Sequence, residues 1–394
     1  MAPTESASTL MPTYARLPVT FVRGEGARLF DAKGRAYLDG LSGIGVTALG
    51  HSHPAVTAAI QEQAANLLHC SNLYHIETQE QLGQALTRAS GMSHCFFGNS
   101  GAEANEAAIK LARLHGHQRG VKSPAIVVME NAFHGRTLAT LSATGNRKIQ
   151  AGFEPLVQGF VRARFNDIDA LHKIAQHNHD VVAVLVEPVQ GEGGVRVADD
   201  AYLQSLRTLC DAQGWLLMLD EVQTGNGRTG SYFAYQQAGI LPDVVTTAKG
   251  LGNGVPIGAC LAQGAAAAVL GPGHHGSTYG GNPLACAAAH AVVTTITRDK
   301  LAARAGELGA RIRKALAQAL ADCPRVVDIR GRGLMIGLEL DRDCPELVAQ
   351  ALSRGLLINV TAGSTIRLLP PLVLSDAEAD ELVQGVAELV RALN

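Results

Sequence analysis

The sequence predicts an α/β fold, with a large domain built on a mostly parallel sheet between helices and a smaller α+β domain built from both chain ends. Three observations lead to this prediction. Short apolar runs rich in branched residues alternate with longer helical patterns through the middle of the chain. These runs lack polar alternation, which is typical of strands buried on both faces. The two ends of the chain instead carry glycine turns and long helical patterns.

The predicted strands of the large domain are uninterrupted apolar runs, and they cover residues 93–97, 125–129, 181–186, 215–220, 243–247 and 257–262. In an open sheet of this type, ligands bind beyond the carboxyl ends of the strands. The residues that directly follow each run are therefore the first candidates for a functional site.

The chain ends predict a different local structure. The N-terminal stretch "FVRGEGARLFDAKGRAYLD" indicates short antiparallel strands joined by glycine turns. Near the C-terminus, residues 325–341 read as a hairpin and residues 377–393 as a closing helix. We therefore expect an N-terminal contribution to the small domain over 1–50, a large domain over 51–281 and a C-terminal α+β part over 282–394.

The composition narrows the class of protein. The 394 residues carry a net charge of −2, without a basic block, so nucleic acid and membrane surfaces are not expected partners. The seven cysteines are scattered and form no CxxC pair, which favours reduced thiols in the cytoplasm. Residues 1–18 lack the basic and apolar segments of a secretory signal, and no apolar run is long enough to span a bilayer.

The first candidate site follows residues 93–97, where the sequence reads "GNSGAEANEAAIKLA". This pattern predicts a strand, a short turn and a helix start. The free amides there, at Ser100, Gly101 and Ala102, suit a phosphate. A serine followed three residues later by a glutamate is also an ordinary helix N-cap. The local sequence leaves both interpretations open.

Two further strand ends carry candidate side chains. Phe133 follows residues 125–129 and is suited to stacking on a planar ring, and Arg136 is suited to gripping a carboxylate. On local sequence alone, a core phenylalanine and a surface ion pair are the favoured alternatives. After residues 181–186, Glu187 and Glu192 are expected near the same edge, as functional acids or as caps and ion-pair partners.

An aspartate and a lysine end the next two strands. Asp220 closes a strongly apolar run and must have a partner, because an isolated buried carboxylate is costly. Lys249 lies two residues past the following strand and precedes several glycines, a position suited to an amine nucleophile, although most lysines are simply surface residues. A lysine, an acid, an anion cradle and an aromatic ring together fit pyridoxal 5′-phosphate.

Two other patterns are rejected as sites. "GNGRTG" at 225–230 matches the dinucleotide fingerprint GxGxxG, but a poor helical sequence follows it and the next acid, Asp243, precedes the following strand instead of ending it. A nicotinamide-dependent dehydrogenase is therefore disfavoured. Two histidine pairs could suggest a metal site: His51 with His53, and His274 with His275. Neither pair has an acid or a cysteine at the spacing of a metal ligand. No metal site is expected.

Six motifs in order resemble the class III, pyridoxal-phosphate-dependent aminotransferases of fold type I: "NSGAEANEAAIKLAR", "FHGRT", "EPVQGEGGV", "LDEVQTGNGRTG", "TTAKGLGNGVPIGA" and "GSTYGGNPLACAAA". The resemblance covers nearly the whole chain and implies a seven-stranded sheet and a homodimer with shared active sites. It is strongest to members that move the δ-amino group of N2-acetyl-L-ornithine to 2-oxoglutarate in arginine biosynthesis. Ornithine, 4-aminobutyrate and succinyl-diaminopimelate donors are the alternatives within the class, and racemisation is a further one.

The resemblance also implies the role of individual residues. Lys249 would form the Schiff base with the cofactor, and Asp220 would pair with the ring nitrogen. The remaining cofactor-binding residues would be Ser100, Gly101, Ala102, Phe133, Glu221, Val222, Gln223 and, from the partner subunit, Thr278. The substrate-binding residues would be Arg136 for acetylornithine, Arg367 for 2-oxoglutarate with Glu192 as its gate, and Ser277 from the partner subunit.

Overall fold

The structure is a computed structural model that describes residues 9–393. The first eight residues of the predicted 1–50 segment, and Asn394 of the 282–394 segment, lie outside these described residues. The strands in chain order are β1 (Phe21–Glu25), β2 (Arg28–Asp31), β3 (Ala36–Asp39), β4 (His94–Gly98), β5 (Ala125–Met129), β6 (Phe160–Ala163), β7 (Val181–Val186), β8 (Val189–Gln190), β9 (Arg196–Val197), β10 (Leu216–Asp220), β11 (Val244–Thr247), β12 (Gly258–Ala262), β13 (Val326–Arg332), β14 (Met335–Leu340), β15 (Leu356–Leu357), β16 (Asn359–Thr361) and β17 (Thr365–Leu368).

Helices connect these strands and cover the sheets. They are α1 (Ser42–Gly45), α2 (Pro54–Asn66), α3 (Glu77–Ser90), α4 (Gly101–Gln118), α5 (Leu138–Ala143), α6 (Arg147–Gln150), α7 (Ile168–His177), α8 (Asp200–Gln213), α9 (Pro283–Arg298), α10 (Leu301–Ala319), α11 (Glu346–Ser353) and α12 (Asp376–Arg391). Within the described part of the chain, no helix is long and apolar enough to cross a membrane.

A seven-stranded sheet in the order β4-β12-β11-β10-β7-β5-β6 forms the centre of the large domain. The pairs from β11 to β6 are parallel, and only β12 runs against both of its neighbours. The predicted fold class is therefore confirmed. The apolar runs at 125–129 and 181–186 coincide with β5 and β7, whose residues are all buried. Burial on both faces explains why these runs carry no polar alternation.

The two chain ends meet in a second, four-stranded sheet. β3 pairs in parallel with β15, with Leu38 opposite Leu356, so a strand from the N-terminal region lies beside one from the C-terminal region. The hairpin predicted at residues 325–341 is β13 and β14, which belong to another four-stranded sheet with β17 and β16. The division at residues 50 and 281 stays a prediction.

The topology brings the candidate residues to one edge. Because β5, β7, β10 and β11 are parallel neighbours, their carboxyl ends open on the same side of the sheet. The turn after β4 leads directly into α4 and faces that edge, because β4 points in the same direction as β11. The C-terminal sheet adds β17, which carries Arg367.

Candidate active site

A cavity of about 420 Å³ opens at the carboxyl edge of the large sheet. A volume of this order suits a small molecule. Residues from four strand ends and from the start of α4 line the cavity. The sequence-predicted residues among them are Ser100, Gly101, Ala102, Phe133, Arg136, Glu187, Asp220, Val222, Gln223 and Lys249.

Lys249 begins a short 3-10 turn just after β11. Its φ of +44° lies in the left-handed region, a strained conformation for a residue with a side chain, and such strain concentrates at functional sites. No hydrogen bond or ion pair engages its amine anywhere in residues 9–393. Burial lowers the pKa of Lys249, although the carboxylates of Glu192 and Asp220 oppose this shift. An unpaired amine with a lowered pKa is suited to act as a nucleophile and a base.

Asp220 ends β10 and is 4% exposed. Its Oδ2 accepts a hydrogen bond from Nδ2 of Asn105 at 2.8 Å and lies 2.7 Å from Nδ1 of His134. Its Oδ1 accepts from the backbone N–H of Val222 at 3.0 Å. These three contacts supply the partners that a buried carboxylate requires, and they hold it in one orientation.

Two other buried titratable groups lie beside Asp220. Burial lowers the pKa of His134, but its hydrogen bond to Asp220 and the charges of Asp220 and Glu187 outweigh burial, so the net shift is upward. Glu187 accepts hydrogen bonds from the backbone N–H groups of Phe133 at 2.9 Å and Gly191 at 3.3 Å. Burial raises the pKa of Glu187 to about 7. The carboxyl of Glu187 therefore ties together two loops that border the cavity.

The start of α4 serves both as a capped helix and as an anion cradle. Oγ of Ser100 accepts a hydrogen bond from the backbone N–H of Glu103 at 3.2 Å, so Ser100 is the N-cap. Gly101 and Ala102 are the first helical residues, and their amides have no acceptor within the helix. Both line the cavity. A Cβ on Gly101 would lie 2.7 Å from Cγ1 of Val222, so the close approach there requires glycine.

The residues that line the cavity fit pyridoxal 5′-phosphate. The free amides at the N-terminus of α4 suit its phosphate. The unpaired amine of Lys249 suits its aldehyde, and the carboxylate of Asp220 suits its ring nitrogen. Phe133 contributes an aromatic side chain to the same cavity.

Arg367 and Glu192 form an ion pair next to the cavity. Nη1 of Arg367 lies 2.6 Å from Oε1 of Glu192 and also donates to Oε1 of Gln223 at 3.2 Å. Nε of Arg367 donates to Oδ1 of Asn359 at 3.0 Å. The arginine side chain is fully buried, whereas that of Glu192 is 37% exposed. Nη2 of Arg367 is buried and has no hydrogen-bond partner in the described chain, so the guanidinium keeps an unused donor.

Arg136 lies at the exposed mouth of the same cavity. The sequence allowed a surface ion pair for Arg136, but its guanidinium forms none with any residue of the described range. One neutralised and buried guanidinium, that of Arg367, therefore lies next to the cavity, and one free guanidinium, that of Arg136, lies at its entrance.

One of the predicted cofactor-binding residues, Glu221, lies outside the cavity wall. The side chain of Glu221 does not line the cavity, because its carboxylate points into the protein and accepts hydrogen bonds from the Thr224 hydroxyl at 2.6 Å and from the backbone N–H groups of Ala234 and Tyr235 at 2.9 and 3.0 Å. The difference arises because Glu221, directly after β10, finds its hydrogen-bond partners in residues 224–235 and not at the cavity.

Ser277 and Thr278 do not line the cavity of their own chain. The hydroxyl of Ser277 accepts a hydrogen bond from Nδ2 of Asn99 at 3.2 Å and from the backbone N–H of Gly280 at 2.9 Å. Thr278 is exposed. A role for either residue in a substrate or cofactor site therefore depends on a second copy of the chain.

Asn105 is a site residue that sequence reasoning missed. It is buried one turn into α4, beside the buried Ala104, Ala107 and Ala108. Its amide bridges two strands, because Nδ2 donates to Asp220 and Oδ1 accepts from the Thr246 hydroxyl at 2.6 Å. The sequence signal that could have identified Asn105 is a polar residue on the apolar face of an amphipathic helix.

Among residues 9–393, no group of three potential metal ligands is present.

The chain is similar to proteins of one family along almost its whole length. The chain matches the family Aminotransferase class-III over residues 10–390, and it belongs to that family. It is 55% identical over 383 residues to an acetylornithine aminotransferase from Nitrosomonas europaea, covering 97% of this chain and 98% of that protein.

Two solved structures are also similar. One is an N-acetylornithine aminotransferase from Stenotrophomonas maltophilia, with 35% identity, a TM-score of 0.84 and coverage of 96% of this chain and 97% of that one. The other is an ornithine aminotransferase from Toxoplasma gondii with pyridoxal phosphate at its active site, with 35% identity, a TM-score of 0.93 and coverage of 98% and 92%. The chain is a pyridoxal-phosphate-dependent transaminase.

Proposed function

We propose that this transaminase moves the δ-amino group of N2-acetyl-L-ornithine to 2-oxoglutarate, giving N-acetyl-L-glutamate 5-semialdehyde and L-glutamate. The observation that carries the proposal is the presence of two guanidiniums in different states, Arg136 free at the mouth and Arg367 neutralised by Glu192. The relative at 55% identity carries the same activity in its name.

The two substrates place different demands on one cavity. N-acetylornithine presents a terminal amine with its carboxylate far away, whereas 2-oxoglutarate presents a carboxylate next to the reacting carbon. A permanently free Arg367 would bind the wrong end of the first substrate. While N-acetylornithine is bound, Arg367 stays paired with Glu192, and Arg136 receives the distant carboxylate of that substrate. When the dicarboxylate arrives, Glu192 releases Arg367, which binds the carboxylate next to the reacting carbon.

The proton chemistry follows from the buried groups. Pyridoxal phosphate, when bound, supplies a ring that accepts electrons from the substrate carbon. Lys249, with its lowered pKa, would take a proton from that carbon and deliver it to C4′ of the cofactor. Asp220 provides the negative charge that keeps the ring nitrogen protonated, and Asn105 and His134 fix its orientation.

The remaining cofactor contacts are proposed as follows. Gly101 and Ala102 offer their amides to the phosphate, and Ser100 lies beside them. Phe133 and Val222 would border the ring, and Gln223 would reach its hydroxyl. These assignments are supported by the position of each residue in the cavity wall.

We also propose a homodimer in which Ser277 and Thr278 reach the cavity of the partner subunit. An exposed apolar cluster lies near this loop and consists of Leu67, Leu68, Leu73, Tyr74 and Tyr279, with exposures of 46%, 53%, 85%, 69% and 64%. Apolar side chains exposed together are typical of an interface. Asn72, the residue before Leu73, donates to the carbonyl oxygens of Ser277 and Gly280 at 3.0 and 2.9 Å, so this segment contacts the loop. Leu73→Asp should dissociate the dimer in sedimentation analysis and weaken cofactor binding, and an unchanged dimer would contradict this interface.

The proposed location is the cytoplasm. The seven cysteines are all free thiols, and four of them are buried, which is typical of a reducing compartment.

A panel of amino donors with 2-oxoglutarate as acceptor tests the proposed function. The kcat/KM for N-acetylornithine should exceed that for ornithine, 4-aminobutyrate and succinyl-diaminopimelate. A higher value for any of these three would overturn the substrate assignment. Turnover without stoichiometric loss of 2-oxoglutarate would indicate racemisation instead.

A further inference from the structure

The backbone around Glu192 is held by side chains of the C-terminal sheet. We call residues 191–195 the gate loop. The hydroxyl of Thr361, on β16, donates a hydrogen bond to the carbonyl oxygen of Glu192 at 2.6 Å. The partner of the Glu192 carboxylate, Arg367, lies on the neighbouring strand β17. The same sheet therefore contacts both the main chain and the side chain of Glu192.

Arg330, on β13, holds the other end of the gate loop. Its guanidinium donates to the carbonyl oxygen of Gly194 from Nη2 at 2.5 Å and from Nε at 3.1 Å, and Nε also donates to the carbonyl oxygen of Val195 at 3.0 Å. Its Nη1 is paired with Asp328 at 2.9 Å and Glu339 at 2.5 Å. These two carboxylates fix the guanidinium, so it acts as a rigid clamp on the loop.

The sheet register aligns this clamp with Arg367. Arg330 lies opposite Gly337, and Gly337 lies opposite Arg367. Val195 packs on the glycine between the two arginines, since a Cβ on Gly337 would lie 2.8 Å from Cβ of Val195. Val195 itself has a φ of +53°, in the left-handed region, so contacts to the surrounding structure must hold it there.

We propose that Arg330 is a positioning residue for the Glu192–Arg367 pair, which it favours by fixing the gate-loop backbone so that only the Glu192 side chain moves between the two half-reactions. This inference rests on the proposed function, because it requires one substrate that uses the paired state and one that uses the open state. Loosening the loop weakens the paired state and shifts the population toward a free Arg367.

The test measures two ligands, one substrate and one non-reacting dicarboxylate, whose responses should have opposite signs. In Arg330→Gln, the KM for N-acetylornithine should rise and the Kd for glutarate, a non-reacting dicarboxylate, should fall in calorimetry, each by about three- to tenfold. Thr361→Val, at the other anchor, should give the same pair of shifts. Arg332→Gln is the matched control, because Arg332 lies on the same strand, has similar exposure (17% against 12%) and donates to Ala198 and Asp200 outside the gate loop.

The outcomes in Arg330→Gln and its control decide whether Arg330 positions the pair. Opposite shifts in Arg330→Gln, absent in the control, support the positioning role. Equal losses for both ligands, no change, or the same shifts in Arg332→Gln overturn it. Glu192→Gln separates this inference from the proposed function, because a lack of opposite shifts in that variant would refute the gate itself, whereas their presence there and absence in Arg330→Gln would refute only the role of Arg330.

Discussion

Nδ1 of the fully buried His134 lies 2.7 Å from Oδ2 of Asp220, and Nδ2 of Asn105 lies 2.8 Å from the same oxygen. Both partners approach one carboxylate oxygen, and the other oxygen accepts the Val222 amide. The carboxylate is therefore held from several sides by elements far apart in the sequence, which makes its orientation a property of the whole sheet edge and α4.

Removing the His134 contact should slow turnover without removing the cofactor. In His134→Phe we expect kcat to fall by about 10- to 100-fold, because Asp220 loses a partner that orients it. His134→Asn places an amide donor near the position of Nδ1 and should recover most of the rate. Steady-state kinetics with a cofactor absorbance spectrum for each variant is the measurement, and equal rates in the two variants would argue against an orienting role.

The close contact between Gly101 and Val222 predicts a steric effect on cofactor binding. A methyl group at position 101 would lie 2.7 Å from Cγ1 of Val222, so Gly101→Ala should displace the amides of the α4 N-terminus. Overpacking of this kind should raise the Kd for pyridoxal phosphate by about tenfold, measured by absorbance titration. The double variant with Val222→Ala makes room for the methyl group and should restore part of the affinity. If it restores none, the loss is not steric.

Arg136 should discriminate between the two substrates. Arg136→Ala removes the free guanidinium at the mouth and should lower kcat/KM for N-acetylornithine by about 10- to 100-fold, with a much smaller effect on 2-oxoglutarate. Arg147→Ala, at an exposed arginine of α6 outside the cavity wall, is the control. Equal losses for both substrates would mean that the distant carboxylate binds elsewhere.

Glu221 should contribute to the pH dependence of stability. Burial raises the pKa of this carboxyl from 4.5 to about 7, against the opposing effect of its hydrogen bonds. Because the folded-state pKa is raised, this contribution is fully present below about pH 4.5 and is lost as the pH rises through about 7. The melting temperature should therefore decline less steeply with pH over this interval in Glu221→Gln than in the unaltered chain.

The matched control for that measurement is Glu62→Gln, on the exposed surface of α2. It should leave the pH dependence of the melting temperature unchanged. Glu187, whose pKa is raised to about 7 by burial, keeps part of the decline in the Glu221→Gln protein. An unchanged slope in Glu221→Gln would show that Glu221 does not titrate in this range.

The sequence was informative where burial leaves a strong compositional pattern. β5 and β7 are apolar on both faces, so their bounds follow directly from the sequence. β6 was missed because Phe160–Ala163 is short, partly exposed and includes an arginine. Lys249 and Asp220 were identifiable because charged residues that follow buried strands need a physical reason.

The partners of these residues were much less accessible to sequence reasoning. The requirement that Asp220 have a partner was predictable, but Asn105 and His134 are 115 and 86 residues away from it. The contact of Arg330 with the gate loop likewise depends on the register of a sheet from another part of the chain. Such pairings follow from tertiary packing and leave no local pattern.

The most direct test of the central claim is to locate the covalent attachment of the cofactor. The holoenzyme is reduced with borohydride and digested, and the peptides are analysed by mass spectrometry. We predict a single reduced cofactor adduct, on Lys249, and neither adduct nor turnover in Lys249→Ala. An adduct on another lysine, or turnover that persists in Lys249→Ala, would contradict the assignment of the active site.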